Sequence, residues 1–279
     1  MTPGQTVSTG AGAARLLTPL LAFCRKTLAI ADLELRKLRR DPTELVTRAI
    51  QPALWLLLFG EVMSRSRALA TGGVPYLDFL LPGILAQSVL FIAIFNGLSI
   101  IWERDLGIVH KFLASPTPRA ALVVGKALGG GIRALAQALV VLLLGLALGV
   151  HLRLSPGTLG GVALLVVLGA ALFSTFSLII ACLVKTRERF MGIGQVLTMP
   201  LFFASNAIYP IAMMPGWLQS VARLNPLTYE VDGLRNLLLA GPAGLGATDV
   251  GLPTDIAVLS VIFVALVGLA ARQYPKIVQ

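Results

Sequence analysis

A series of apolar segments, each too long for an ordinary core helix and separated by short polar breaks, constrains this chain more than any other feature. The longest opens at Thr117-Pro118 and stays apolar to Val150. That is about 33 residues, or roughly 50 Å of helix at 1.5 Å per residue. A bilayer's hydrocarbon is about 30 Å thick, so this segment must tilt or project. Asp41-Pro42-Thr43-Glu44 supplies an N-cap, a proline at the first helical position and an early Glu, and opens a span of about 42–63. Further spans cover about 79–102, 118–150, 156–184 after Ser155-Pro156, 190–208 interrupted by Pro200, and 253–271 opening at Pro253. Six spans of about 20 residues consume roughly 120 residues, most of what a 56% apolar composition provides. Only 13% of the 279 residues are charged, against about 25% in soluble domains. The sequence therefore reads as an all-α integral membrane protein with six transmembrane helices in one unit, 42–271. A flexible stretch, 1–24, and an interface helix, 25–41, precede it, and a tail, 272–279, follows.

The net charge of +10 raises nucleic acid as a partner, and the placement of the charges answers it. Six spans put both termini on one side. With that side cytoplasmic, 17 of the 23 Lys and Arg fall inside, 5 fall outside (Arg65, Arg67, Arg153, Arg223 and Arg235), and Arg133 lies within a span. The positive-inside rule then gives cytoplasmic termini. Basic residues spread over several short loops account for the charge without DNA or RNA. A signal peptide competes for the N-terminus, where Arg15 precedes Leu16 to Phe23 and Cys24, but the run is short and contains Pro19. Two cysteines, Cys24 and Cys182, are too few for a disulfide framework or a multi-cysteine metal site.

Leu21, Cys24, Leu28, Ala31, Leu35 and Leu38 recur at spacings of three and four, which predicts an amphipathic helix on the cytoplasmic membrane surface. Asp32 and Arg36, and Glu34 and Lys37, pair at helical spacing. The loop after the second span begins Trp102-Glu103-Arg104-Asp105-Leu106-Gly107. Its charges are a stop signal, or else the start of a short helix from about Leu106 to Leu113 that docks on another protein. The outer segment, about 209–252, holds Asn225 as N-cap, Pro226, and an apolar stripe of Leu227, Val231, Leu234 and Leu238. That stripe is too short to cross. It predicts interfacial or re-entrant helices, with Glu230, Asp232 and Arg235 facing water or one another.

No reactive set is evident. His110 and His151 fall on opposite predicted sides, and Gly125-Lys126 lacks the rest of a phosphate loop. The chain is expected to hydrolyse nothing and to hold neither cofactor nor metal. Polar residues within spans are costly and face a cavity or another helix. Lys126, Gly130, Arg133 and Gln137 step by four, three and four; Ser88, Asn96 and Ser99 lie close around the second span; Ser174, Thr175 and Ser177 cluster in the fourth. They mark a substrate pathway or subunit seam, or ordinary interhelical hydrogen bonding with Arg133 reaching to the interface.

Leu224-Asn225-Pro226-Leu227-Thr228-Tyr229-Glu230-Val231-Asp232-Gly233-Leu234-Arg235 resembles the signature ahead of the last span in permease subunits of ABC type-2 exporters. Pro52-Ala53-Leu54-Trp55 with Gly60, Leu81-Pro82-Gly83, and Glu103-Arg104-Asp105-Leu106-Gly107 with Ser115-Pro116 support the likeness. The family more usually has Glu-Arg-Glu where this chain has Glu-Arg-Asp. The resemblance spans about Leu33 to Ala271. It implies an interface helix at about 25–40 carrying Arg25, Arg36, Arg39 and Arg40. It also implies a coupling segment that includes Gly107, with Glu103, Arg104 and Asp105 fixing its helix by charged contacts and Leu106, Ile108, Val109 and Phe112 giving an apolar surface. An outer re-entrant element would include Asn225, Pro226, Tyr229, Glu230, Asp232 and Arg235. The implied partners are two copies of a separate ATP-binding subunit, which would carry ATP and Mg, a second permease copy forming a homodimer, and membrane lipid. The implied activity is outward movement of an amphipathic drug-like, lipid-linked or glycan substrate. A non-transporting scaffold or sensor subunit is the alternative, and an ion-coupled carrier is a third.

Overall fold

The computed structural model describes residues 25, 29, 32, 36, 43–66, 74–109, 118–184, 186–239 and 251–274. Among them there is helix and no strand. Helix α1, Thr43–Leu54, runs into a π-helical turn, Trp55–Gly60, and then α2, Glu61–Ser66. The long helices follow: α3 is Tyr76–Asp105, α4 Arg119–Ala147, α5 Pro156–Leu183 and α6 Arg187–Phe203. After a 3-10 turn, Ile211–Met213, come α7, Gly216–Leu224, α8, Pro226–Leu238, and α9, Gly251–Gln273. Four helices are long and apolar enough to cross a bilayer: α3, α4, α5 and α9. The expected first span is divided by its π turn, and the expected fifth has only 17 residues as α6, so six spans are not established by length alone.

Local chemistry sets the helix ends. Ser155 accepts from Thr158 N–H (3.1 Å) with Pro156 following, and Thr186 accepts from Arg189 N–H (3.4 Å); both are N-caps. Helix α3 extends three residues beyond its predicted end, so Glu103, Arg104 and Asp105 form its last turn rather than a loop. Gly107, at φ 69°, then turns the chain while its N–H bonds Arg104 O at 2.9 Å, a left-handed ending that glycine adopts without strain. Helix α6 stops at Phe203, short of the predicted 208, because Asn225 intercepts its last carbonyls. The Asn225 amide donates to Leu201 O (2.6 Å) and Ala204 O (3.1 Å) while its own oxygen accepts from Leu227 N–H (3.0 Å). One side chain thereby closes α6 and opens α8.

Helix α3 lies at the centre and is buried along most of its length. Helices α4, α5, α6 and α8 pack around it, and α9 covers α5 and α8. The outward faces are apolar and exposed, as at Leu58, Val196, Val261 and Val264, as lipid contact requires. A Cβ on Gly83 would overlap the Ala207 backbone, so the turn after α6 lies directly on α3, where Tyr76 also donates to Ile208 O at 3.0 Å. The residues Arg25, Ala29, Asp32 and Arg36 are helical and exposed, and Arg36 pairs with Asp32 at 2.8 Å as expected. Arg39 and Arg40, the apolar stripe from Leu21 to Leu38, and the stretches 1–24 and 275–279 lie outside the described residues.

The outer segment decides between two expectations. Glu230, Asp232 and Arg235 do not face water: they are 0%, 0% and 2% exposed. Helix α8 is inserted among α3, α5 and α9, and a buried helix has no wet face on which to place them. Arg235 donates to Asn206 O (2.9 Å) and Phe79 O (3.3 Å) and stacks on the Phe79 ring, 3.9 Å from its centroid. Glu230 is pressed against Gly169 of α5, where a Cβ would overlap its carboxylate. Neither oxygen has a hydrogen-bond partner among the described residues, and burial pushes this carboxyl well above its ordinary range.

Two measurements check this packing. Gly83→Val overpacks the Ala207 contact and is expected to lower stability by about 1–3 kcal/mol, read as a fall in the thermal midpoint in detergent. The folded state holds the Glu230 proton to higher pH than the unfolded chain does, so stability falls as pH rises from about 4.3 toward the raised folded value. Glu230→Gln is expected to flatten that slope.

Candidate functional site

The last turn of α3 brings the first set of predicted residues to one end of the bundle. Asp105 accepts from Arg187 at 2.8 and 3.1 Å, and from Arg104 at 3.3 and 3.4 Å. Arg104 also donates to Val184 O at 3.2 Å. The Arg187 guanidinium lies 3.9 Å from the centroid of the Trp102 ring. The turn after α3 is thereby tied to the α5–α6 connection. Arg187 was not among the residues singled out. Its signal was its place in a short basic loop, which by itself indicated only topology.

The predicted coupling residues divide. Leu106 is exposed, at 68%, whereas Val109 is wholly buried with Ile100, Leu122 and Tyr274, so Val109 belongs to the core and not to a docking face. Ile108 lines a cavity, and Phe112 lies outside the described residues. Glu103 is also not at a surface. It forms a buried ion pair with Lys126 of α4, where each charge offsets the cost of burying the other.

The polar residues within the helices fall into two groups. In the first, side chains bind helices together. Ser177 donates to Ile94 O and accepts from Gly97 N–H (3.1 Å), and Ser174 packs against Gly130. These two serines serve the α3–α5 and α4–α5 contacts rather than a passage. In the second, side chains border open space. Arg133 donates to Asn96 Oδ1 at 3.1 Å, and both line a cavity of about 660 Å³ together with Arg48, Phe95, Ser99 and Trp102. A second cavity, about 290 Å³, is lined by Gln51, Gln87, Ser88, Phe91 and Gln137 and shares Arg48, Ile92 and Phe95 with the first. Arg48 and Gln51 of α1 border these spaces between α1, α3 and α4. Gln87, also a lining residue, carried no periodic signal because α3 is buried on every side.

At the opposite end, Asn225 and Pro226 start α8 as expected, and Tyr229 donates to Arg223 O at 2.7 Å. His151 is 3.3 Å from Asp78. Among the described residues, no group of three His, Cys, Asp or Glu side chains is placed to hold a metal ion.

Comparison with known proteins bears on this arrangement. The family model described as ABC-2 type transporter matches residues 25–239. The daunorubicin resistance ABC transporter permease protein DrrB1 of Streptomyces coeruleorubidus is 31% identical over 261 residues, covering 90% of this chain and 89% of that protein. A putative transport permease, ycf38, of Cyanophora paradoxa is 30% identical over 203 residues, 72% of this chain and 70% of the relative. The inner membrane transport permease YadH of Escherichia coli K12 is 28% identical over 225 residues, 79% and 83% of the two chains. With its helical bundle, its apolar exterior and a match over most of its length, this chain belongs to the ABC-2 type transporter family as a permease subunit.

Proposed function

We propose that the chain is a six-span exporter permease of a bacterial inner membrane, with both termini cytoplasmic. In this reading α1 with α2, and α6, complete the six spans, and α7 and α8 form the outer re-entrant element. Two copies join two separate ATP-binding subunits, which carry ATP and Mg. The complex moves an amphipathic drug-like, lipid-linked or glycan substrate outward, and the resistance role in the name of the Streptomyces relative supports efflux.

The observation that carries this reading is the tie at Asp105. Arg104, Asp105 and Arg187 join the exposed turn at Leu106 to two helices at once, so a partner pressing on that turn displaces α3 and α6 together. Such a push shifts a conformational equilibrium only if the partner binds one state better than the other. A nucleotide-dependent subunit meets that condition. The excess of Lys and Arg at this end of the helices supports its cytoplasmic placement.

Co-purification with the ATP-binding subunit encoded beside it, followed by ATP-dependent uptake into inverted vesicles, tests the proposal. Absence of an associated ATPase, or ATP turnover with no movement of substrate, would refute it. Two variants separate coupling from folding. Asp105→Ala breaks a partly exposed pair worth about 0–1 kcal/mol, so stability is expected to hold while transport falls several-fold. Glu103→Ala strands Lys126 in the core and is expected to cost about 3–5 kcal/mol, seen as lost yield and a lower thermal midpoint. The charge cluster at the end of α3 therefore cannot be probed at Glu103 alone.

A further inference from the structure

We propose that Glu230 is a proton-controlled latch on α8. With its carboxyl neutral the helix stays seated on α5, and with the carboxyl ionised it is released into outer water. The placement of α8 at the outer face rests on the exporter reading; the contact itself does not. The two helices meet through small residues. Leu237 of α8 lies against Gly161 of α5, Leu165 against Gly233, and Glu230 in the space beside Gly169, where a Cβ would overlap its carboxylate. Numbering falls along α8 as it rises along α5, so the helices are antiparallel and Glu230 makes the deepest of the three contacts. Gly169 is at the middle of the 28 residues of α5, roughly 20 Å from either end.

Glu230 is wholly buried there, and neither carboxyl oxygen has a hydrogen-bond partner among the described residues. The other titratable groups of α8 and of the helices packed on it, α3, α5, α7 and α9, are engaged or placed elsewhere. Arg235 lies about 140° round α8 from Glu230 and Asp232 about 160° round, at 100° per residue; Arg235 donates to the carbonyls of Phe79 and Asn206. Tyr229 donates to Arg223 O, and Arg223 of α7 is exposed. On α3, Tyr76 donates to Ile208 O and Asp78 faces His151. Helix α5 has no acidic or basic side chain. Helix α9 contributes Asp255, a second buried carboxyl with both oxygens unpartnered among the described residues. The remaining charges of α3 and α9 lie at the opposite ends of those helices. An ionised carboxylate without a partner is far costlier to bury than a neutral one, so the seated state requires the proton. On release the proton passes to outer water, and it returns when α8 reseats. The Thr228 hydroxyl, also buried and unpartnered among the described residues, gains from the same water.

The test uses right-side-out vesicles carrying this chain with its ATP-binding subunit, in a background of Cys24→Ala and Cys182→Ala. Leu165→Cys reports on the α5–α8 contact, and Leu237→Cys is a second reporter from the facing helix should the first not assemble. A sulfonated maleimide is added outside. Dividing its labelling rate by that of Arg153→Cys, an exposed position in the α4–α5 loop, removes the reagent's own pH dependence. The normalised rate is expected to rise about five-fold or more between outer pH of about 6 and about 9, since release of one proton shifts a balance by up to about ten-fold per pH unit. Glu230→Gln keeps the shape and cannot ionise, so it is expected to hold the rate at its low-pH value. Gly169→Ala displaces the carboxyl and is expected to raise the rate at both pH values. Size exclusion with retained ATP-binding subunit confirms folding of each variant. A pH-independent rate in the unmodified contact, or a response that survives in folded Glu230→Gln, overturns the proposal. Asp255→Asn is expected to keep the response; its loss there would assign the proton to Asp255 and overturn a latch at Glu230. Labelling of Arg153→Cys only from inside the vesicles would overturn the exporter topology, whereas Arg153→Cys labelled from outside with a pH-independent Leu165→Cys overturns the latch alone.

Discussion

Ser177 donates to the carbonyl of Ile94 and accepts from the N–H of Gly97, so α3 and α5 are joined where neither can slide without leaving a polar group unpaired. Inside a bilayer no water replaces a lost partner, which makes this contact more restrictive than its two hydrogen bonds would be at a wet surface. Gly97 makes it possible, because a Cβ there would overlap the serine hydroxyl. With α3 fixed in rotation and height, Asn96 meets Arg133, Glu103 meets Lys126, and the last turn of α3 reaches the α5–α6 connection. The cavities between α1, α3 and α4 are what this arrangement leaves open on the side away from α5.

Much of this was legible in the sequence. Caps at Ser155-Pro156 and Asn225-Pro226 and the spans at about 79–102, 118–150, 156–184 and 253–271 follow from short-range chemistry and apolar length, which do not depend on knowing the neighbours. The step of four, three and four through Lys126, Gly130, Arg133 and Gln137 located a true polar face of α4. It did not say which of those groups would meet a partner and which a cavity. Glu103 illustrates the limit: its position after an apolar run looks like a stop signal, and only the antiparallel neighbour α4 makes it half of a buried pair.

The outer segment failed for a related reason. Periodicity separates the faces of a helix, and a polar face is read as wet by default. Helix α8 instead has neighbours on three sides, so its polar face became an internal one, with one terminal nitrogen of Arg235 donating to two backbone carbonyls and the guanidinium stacked on an aromatic ring. Neither accepting carbonyl, of Phe79 or of Asn206, advertises that role in the sequence, since every residue has a carbonyl. The charge count was affected as well: Arg235 entered it as an outer-loop charge and is instead part of the core.

Helix α6 is held at both ends by side chains from elsewhere in the chain. Arg187 at its first turn is bound to Asp105, and its last carbonyls are held by Asn225. Its 17 residues span about 25 Å; Phe190, Gly194, Thr198 and Phe202 are buried, and most of its outer face is exposed. The helix therefore links two distant turns: Asp105 at the end of α3 holds its first residue, and Asn225, which also starts α8, holds its last carbonyls.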